Sequence, residues 1–214
     1  MIKVYGDIML DSWIIGKANR ISPEAPVPVL KEIEKKNSIG GAANLALNLS
    51  NIIDNVTLFG AVGMDDEGFD VLKILEHKNN IDSRIKTDAE MTTTKTRLVG
   101  QRGQHIMRWD REKKYKGNAQ QSLLQEVKQG DIVCLSDYNK GTISVNLVEQ
   151  LINKDCKVLV DPKQGPEVYK GAYLVKPNMK EYKSWFGKFK KETALVKLKD
   201  YGWKYLVVTD GANG

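Results

Sequence analysis

Several short stretches of this 214-residue chain set acidic, amide, lysine or glycine residues where a ligand could use them. Gly6-Asp7-x-x-x-Asp11 follows the apolar start Ile2 to Tyr5. Two carboxylates there can accept hydrogen bonds from sugar hydroxyls; a turn with a helix cap is the plainer reading. Gly40-Gly41-Ala42-Ala43-Asn44 opens a helical pattern. Backbone N–H groups and the Asn44 amide can then approach a ligand closely, although tight helix–sheet packing asks for the same glycines. Ser136-Asp137-Tyr138-Asn139-Lys140-Gly141 and Asp161-Pro162-Lys163 each end an apolar run. In Lys176-Pro177-Asn178-Met179-Lys180-Glu181 an amide and a carboxylate stand three apart at a helix start, which favours anions. The pair can organise water around a magnesium ion carried by a triphosphate, and it also matches an N-cap with its capping-box partner; the two roles are compatible. Thr209-Asp210-Gly211 follows the last apolar run and reads as a turn into a hairpin.

These residues need elements to hold them. Short strand-like runs alternate with helical patterns. Strands are expected at 2–5, 56–62, 131–136, 157–161, 172–175 and 204–209. Helices are expected at 41–53, 66–78, 142–153, 179–186 and 192–200. Asp65 or Asp66 is placed to cap the helix from 66, with Phe69, Leu72 and Leu75 as its apolar stripe. The near-continuous apolar run Tyr205-Leu206-Val207-Val208 suits a strand buried in a parallel sheet. Such alternation predicts a layered α/β domain, with the polar residues along one rim of one sheet. Two stretches break the rhythm. Residues 13–36 are extended and punctuated by Pro23, Pro26 and Pro28; residues 91–110 read as a hairpin turning near Gly100 to Gly103. With no helix to cover them, the two can pair into a small projecting sheet.

Composition excludes several classes. Hydrophobic residues are 41% and charged residues 28%, ordinary for a globular chain, and no apolar run has the length of a membrane span. The first residues lack the long apolar core of a signal peptide, so a cytoplasmic location is expected. The net charge of +6 comes from scattered lysines without aromatic interleaving, which argues for a solvated surface and against nucleic acid. Cys134 and Cys156 sit in or beside apolar runs and read as reduced core thiols; His77 and His105 are isolated, which argues against zinc.

Taken together, Gly6-Asp7-Ile8-Met9-Leu10-Asp11, Arg20-Ile21-Ser22-Pro23-Glu24-Ala25-Pro26-Val27-Pro28-Val29 and Gly40-Gly41-Ala42-Ala43-Asn44-Leu45-Ala46 resemble the kinase domain of D-glycero-D-manno-heptose-7-phosphate kinases. The diglycine–Asn element and the Asn178/Glu181 element are similar to motifs of the whole ribokinase (PfkB-type) superfamily, while Ser22 to Val29 points to the heptose branch. The resemblance covers the whole chain. It implies a three-layer α/β/α ribokinase-like core over residues 1–214 with a β lid built from segments 13–36 and 91–110, and a homodimer formed through the lids. It implies transfer of a phosphoryl group from ATP, with Mg2+, to the C1 hydroxyl of heptose 7-phosphate, in the synthesis of nucleotide-activated heptose for the lipopolysaccharide core. By match, Asp7, Asp11, Gly40, Gly41, Asn44 and Asp137 belong to the sugar site, and Arg97, Arg108 and Lys163 to its phosphate. Asn178 and Glu181 would organise magnesium and the ATP phosphates; Thr209 and Gly211 would border the nucleotide. The family's Gly-Ala-Gly-Asp segment, whose Asp is the general base, does not occur in these residues. The expectation is therefore a kinase domain whose catalytic base lies beyond residue 214. Two other readings are a non-catalytic sugar-phosphate-binding or lid-mediated interaction protein, and a sugar kinase of another specificity; Ser22 to Val29 argues against the latter.

Overall fold

The computed structural model describes residues 2–214. The chain opens with β1 (Ile2–Gly6), β2 (Ile8–Ile21) and β3 (Pro28–Gly41), followed by α1 (Ala42–Ser50), β4 (Val56–Gly63), α2 (Asp66–Glu76) and β5 (Ile81–Ala89). Next come β6 (Thr93–Gly100), β7 (His105–Arg111), α3 (Gln120–Glu126), β8 (Ile132–Ser136), α4 (Val145–Asn153) and β9 (Lys157–Asp161). The last elements are β10 (Leu174–Val175), α5 (Met179–Phe186), α6 (Lys191–Asp200) and β11 (Tyr205–Leu206).

Seven strands form one sheet in the order β11-β10-β9-β8-β1-β4-β5, and every pair in it is parallel. Both faces are covered, so alternate residues of one strand enter different cores. Val4, Leu58 and Cys134 pack with Ala43, Ala46, Val71 and Leu75 of α1 and α2. Tyr5, Phe59, Leu135 and Val158 pack on the other face with Leu123 of α3 and Leu147 and Leu151 of α4. Burial on both sides is why these strands read as continuous apolar runs. The result is a layered α/β domain, as the alternation predicts, with the three α/β/α layers that the resemblance implies.

A second sheet has the order β3-β2-β6-β7. β2 and β3 are an antiparallel hairpin, β6 and β7 another, and β2 joins β6 in parallel from Met9/Thr93 to Gly16/Gly100. The two irregular stretches therefore pair with each other. Pro23 and Pro26 fall in the turn between β2 and β3, and Pro28 is the first residue of β3, positions that spare the ladder.

Several local expectations are corrected. Phe69 is 57% exposed, whereas Leu75 is buried as expected, together with Gly68 and Val71. Edge strand β5 and helix α3 were not anticipated. β5 carries Asp82, Arg84, Lys86 and Asp88 among its few apolar residues, as suits an exposed edge, and this charge hides the strand pattern. The run at 204–209 forms a two-residue strand at the opposite edge, with Tyr205 and Val207 exposed rather than buried. No hairpin turn follows it among the described residues: Thr209 bridges to Asn178, and Gly211–Asn213 form a single 3-10 turn.

Candidate active site

The sheet's connectivity fixes where a ligand can sit. From β1 the chain moves outward through β4 and β5 on one side, then returns to β8 on the other side and continues to β11. Strand order thus reverses between β1 and β8, and ligands in open α/β sheets bind outside the carboxyl ends of strands at such a point. Gly6–Asp7 and Ser136–Asp137 stand at those two strand ends.

Asp7 and Asp137 are buried there and turned to the protein's own hydrogen-bond donors. Asp7 Oδ2 accepts from the N–H groups of Tyr138 (2.7 Å) and Lys140 (3.0 Å); Oδ1 accepts from Thr142 N–H (3.4 Å) and Oγ1–H (2.7 Å). Burial pushes the Asp7 carboxyl above its ordinary value, with these hydrogen bonds opposing and Asp137 adding to the rise. Asp137 accepts from Asn139 N–H (2.6 Å), from Gln164 Nε2 (2.9 Å) and from the Tyr169 hydroxyl, whose own ionisation is raised by burial first and by Asp137 second. Two buried carboxylates thus hold the 138–142 loop in place. Asn139 in that loop takes φ +57°, a conformation asparagine tolerates.

The diglycine is packed against both N-terminal aspartates. Met9 pairs with Gly40 and Ile8 with Gly41 across the β2–β3 ladder. A side chain at Gly40 would meet the Asp11 carboxylate, and one at Gly41 would meet the Asp7 carbonyl oxygen. Gly41 also has φ +59° as the N-cap of α1, and the Asp7 carbonyl accepts from Ala42 N–H at 2.9 Å. Close packing therefore explains these glycines, and it brings the first turn of α1, with Asn44 exposed on it, beside Asp7 and Asp11.

Asp11, Trp13, Lys95, Arg97 and Arg108 share one face of the second sheet. Asp11 is paired in register with Lys95, Trp13 with Arg97, and Arg97 with Arg108. Arg97 reaches back to Asp11 (2.7 Å) and lies over the Trp13 ring at 5.0 Å. Lys95 lies over the ring of Tyr138 at 4.9 Å, so this face is turned to the strand-end loops. Arg108 is more exposed and pairs with Asp110 (2.9 Å). The opposite face rests on α2 through Asn37–Asp70 (2.7 Å) and Arg111–Glu67 (2.6 Å). At the base of β6, the Asp65 carboxylate accepts from Thr92 N–H, Thr92 Oγ1–H and Gly68 N–H.

The far half of the rim carries the remaining predicted residues. Lys176 pairs with Asp161 at 2.9 Å and Lys163 with Glu181 at 3.2 Å. Asn178 caps α5 in a complete capping box with Glu181, as its spacing foretold. Thr209 is held against this helix start, its carbonyl accepting from Met179 N–H at 2.7 Å. Gly211 lies apart, exposed in the 3-10 turn. One carboxylate and one amide at a helix N-terminus, with no cluster of three or more His, Cys, Asp or Glu among the described residues, suit a magnesium ion that keeps waters and is carried by phosphates; they do not make an all-protein cage.

Sequence reading passed over Trp13, Lys95, Thr142, Gln164 and Tyr169. Strand alternation from Asp11 and Arg97 is enough to find the first two; the others depend on contacts distant in sequence.

This fold and rim define a class of protein. The family model for pfkB family carbohydrate kinases matches residues 1–214, and the chain belongs to that family. Among curated proteins it is similar to the bifunctional protein HldE of Actinobacillus pleuropneumoniae serotype 5b (strain L20), 37% identical over 225 residues, covering 100% of this chain and 47% of that protein. HldE of Escherichia coli O9:H4 (strain HS) is 36% identical with the same coverage. The chain spans about half the length of these relatives. In structure it resembles the tetrameric inhibited form of phosphofructokinase-2 from Escherichia coli (TM-score 0.77, 18% identity, 100% of this chain and 75% of that one). It also resembles Arabidopsis thaliana ribokinase complexed with ribose and ATP (TM-score 0.70, 15% identity, 100% and 72%). At these identities the structural likeness shows the fold. The ribokinase-like core and the family read from the sequence motifs are both borne out.

Proposed function

We propose that this chain binds D-glycero-D-manno-heptose 7-phosphate and MgATP and orients them for phosphoryl transfer to the C1 hydroxyl, in the making of nucleotide-activated heptose for lipopolysaccharide. The observation that carries this reading is the shared face of Asp11, Arg97 and Arg108. A carboxylate suited to sugar hydroxyls stands one row from two guanidiniums suited to phosphate, which fits a phosphosugar better than a plain sugar. The second sheet then serves as a lid over the strand-end rim, and its outer face, with Met107 and Trp109 exposed, meets a second copy of the chain.

Asp11 and the Asn44 amide receive sugar hydroxyls, and the close packing at Gly40 and Gly41 sets the first turn of α1 beside them. Asp7 and Asp137 act through the loop they hold. ATP supplies the phosphoryl group, and its magnesium offsets charge on the phosphate oxygens. Asn178, Glu181 and the N-terminus of α5 face those phosphates, with Thr209 and Gly211 bordering the nucleotide. In this reading these residues bind and position the two substrates.

Calorimetry with heptose 7-phosphate, unphosphorylated heptose and fructose 6-phosphate tests the reading. The 7-phosphate is expected to bind at least about tenfold more tightly than the other two, and Arg97→Ala to remove most of that preference. Equal binding of heptose with and without its phosphate would refute the assignment.

A further inference from the structure

The ion pair at the start of α5 carries a consequence for metal selection. Lys163 Nζ lies 3.2 Å from Glu181 Oε1. Glu181 Oε2 accepts from Asn178 N–H at 2.9 Å, and Asn178 Oδ1 accepts from Glu181 N–H at 2.9 Å. Both carboxylate oxygens are therefore engaged, and the Glu181 side chain is only 13% exposed, whereas that of Lys163 is 53% exposed. The capping box is complete without the lysine. On the neighbouring strand ends Asp161 is matched by Lys176 in the same way. Asp161 and Glu181 thus each already have an ammonium partner.

We propose that Lys163 is the resident counter-ion of Glu181, excluding free divalent cations so that metal enters only together with a polyphosphate. The proposal rests on the reading above, in which Asn178 and Glu181 face a metal-bound nucleotide, and it moves Lys163 from the sugar phosphate to the metal. A divalent ion arriving alone must expel the ammonium from a carboxylate whose second oxygen stays tied to Asn178. Magnesium surrenders its waters reluctantly, and one carboxylate repays little of that cost. A triphosphate reverses the balance. Its oxygens receive the Lys163 ammonium, and the freed Glu181 oxygen accepts from the metal's waters. Metal and polyphosphate then favour each other's binding, by the reciprocity of linked equilibria. A compact ammonium on a flexible, half-exposed stem suits a group that must change partners.

The test uses Mn2+ without nucleotide, followed by electron paramagnetic resonance, on wild type, Lys163→Met and Lys163→Arg, each checked for folding by circular dichroism. Lys163→Met is expected to take up Mn2+ about fivefold more tightly than wild type, the worth of one partly exposed ion pair. Lys163→Arg should behave as wild type, and adding Glu181→Gln to Lys163→Met should abolish the gain. Equal Mn2+ affinity in wild type and Lys163→Met overturns the proposal, as does a gain that survives Glu181→Gln. A second arm titrates a non-hydrolysable ATP analogue with and without Mg2+. Strong metal dependence in wild type, reduced in Lys163→Met, supports the linkage, and metal-independent binding overturns it. Absence of nucleotide binding in every protein overturns the nucleotide reading, and the nucleotide-free Mn2+ arm separates that failure from a failure of the exclusion.

Discussion

Replacing Asp7 with alanine tests whether this carboxylate is the anchor of the rim. The substitution removes an acceptor that serves Tyr138 N–H, Lys140 N–H, Thr142 N–H and the Thr142 hydroxyl. The hydroxyl can turn to another partner and the 3.4 Å bond is weak, so the main loss falls on the two short backbone bonds. A buried N–H without an acceptor costs about 1–3 kcal/mol, which puts Asp7→Ala near 4 kcal/mol. For a chain of this size that is a fall in Tm of about 8–16 °C. Thermal melts followed by circular dichroism read the loss, and amide exchange at Tyr138 and Lys140 localises it. A second arm uses pH. Burial raises the folded carboxyl pKa above its unfolded value, so the folded state binds the extra proton between the two values. The contribution is therefore complete below the unfolded pKa and is lost as pH rises through the folded one. Asp7→Asn cannot titrate, so its stability deficit relative to wild type should shrink as pH rises over that window. An Asp7→Ala protein melting within about 2 °C of wild type, or a deficit in Asp7→Asn that grows with pH, would refute this account.

Other substitutions have equally definite outcomes. Gly41→Ala forces a side chain onto φ +59° and against the Asp7 carbonyl, and urea unfolding should show a loss of about 3 kcal/mol or more. Asp65→Ala removes the N-cap of α2 and both bonds to Thr92, for about 2–3 kcal/mol by the same measurement, with faster amide exchange in β6. Burial alone would raise the Asp65 carboxyl, but the bonds from Thr92 and Gly68 outweigh it and hold it below its ordinary value. Its contribution is present above the unfolded pKa and fades as pH falls through the folded one, so the Asp65→Ala deficit should shrink on acidification, opposite to Asp7→Asn.

Much of the fold was legible along the chain because local periodicity carries it. Apolar runs at β1, β4, β8 and β9 mark strands covered on both faces, and the Asp65 and Asn178 caps mark where α2 and α5 begin. The alternation of these elements determines an α/β core, and the motif strings determine the family. Edge strand β5 escaped reading because its charged residues hide the pattern, and the apolar run at 204–209 was read as buried although the sheet edge leaves Tyr205 and Val207 in water.

What each polar residue does was decided by the tertiary structure. Asp7 and Asp11 look alike in sequence, four residues apart at the end of one strand. In the fold, Asp7 points into the body, where residues 131 to 135 positions away supply its donors, while Asp11 continues onto the second sheet and meets Arg97, 86 positions away. Lys163 follows a strand end as any surface lysine might, and only the pairing of β10, which leads into α5, with β9 gives it Glu181 as a partner. The physical reason is common to all three. Capping, turns and amphipathic faces depend on neighbours within a few residues, whereas the partner of a side chain at a strand end is set by which strands the sheet brings together.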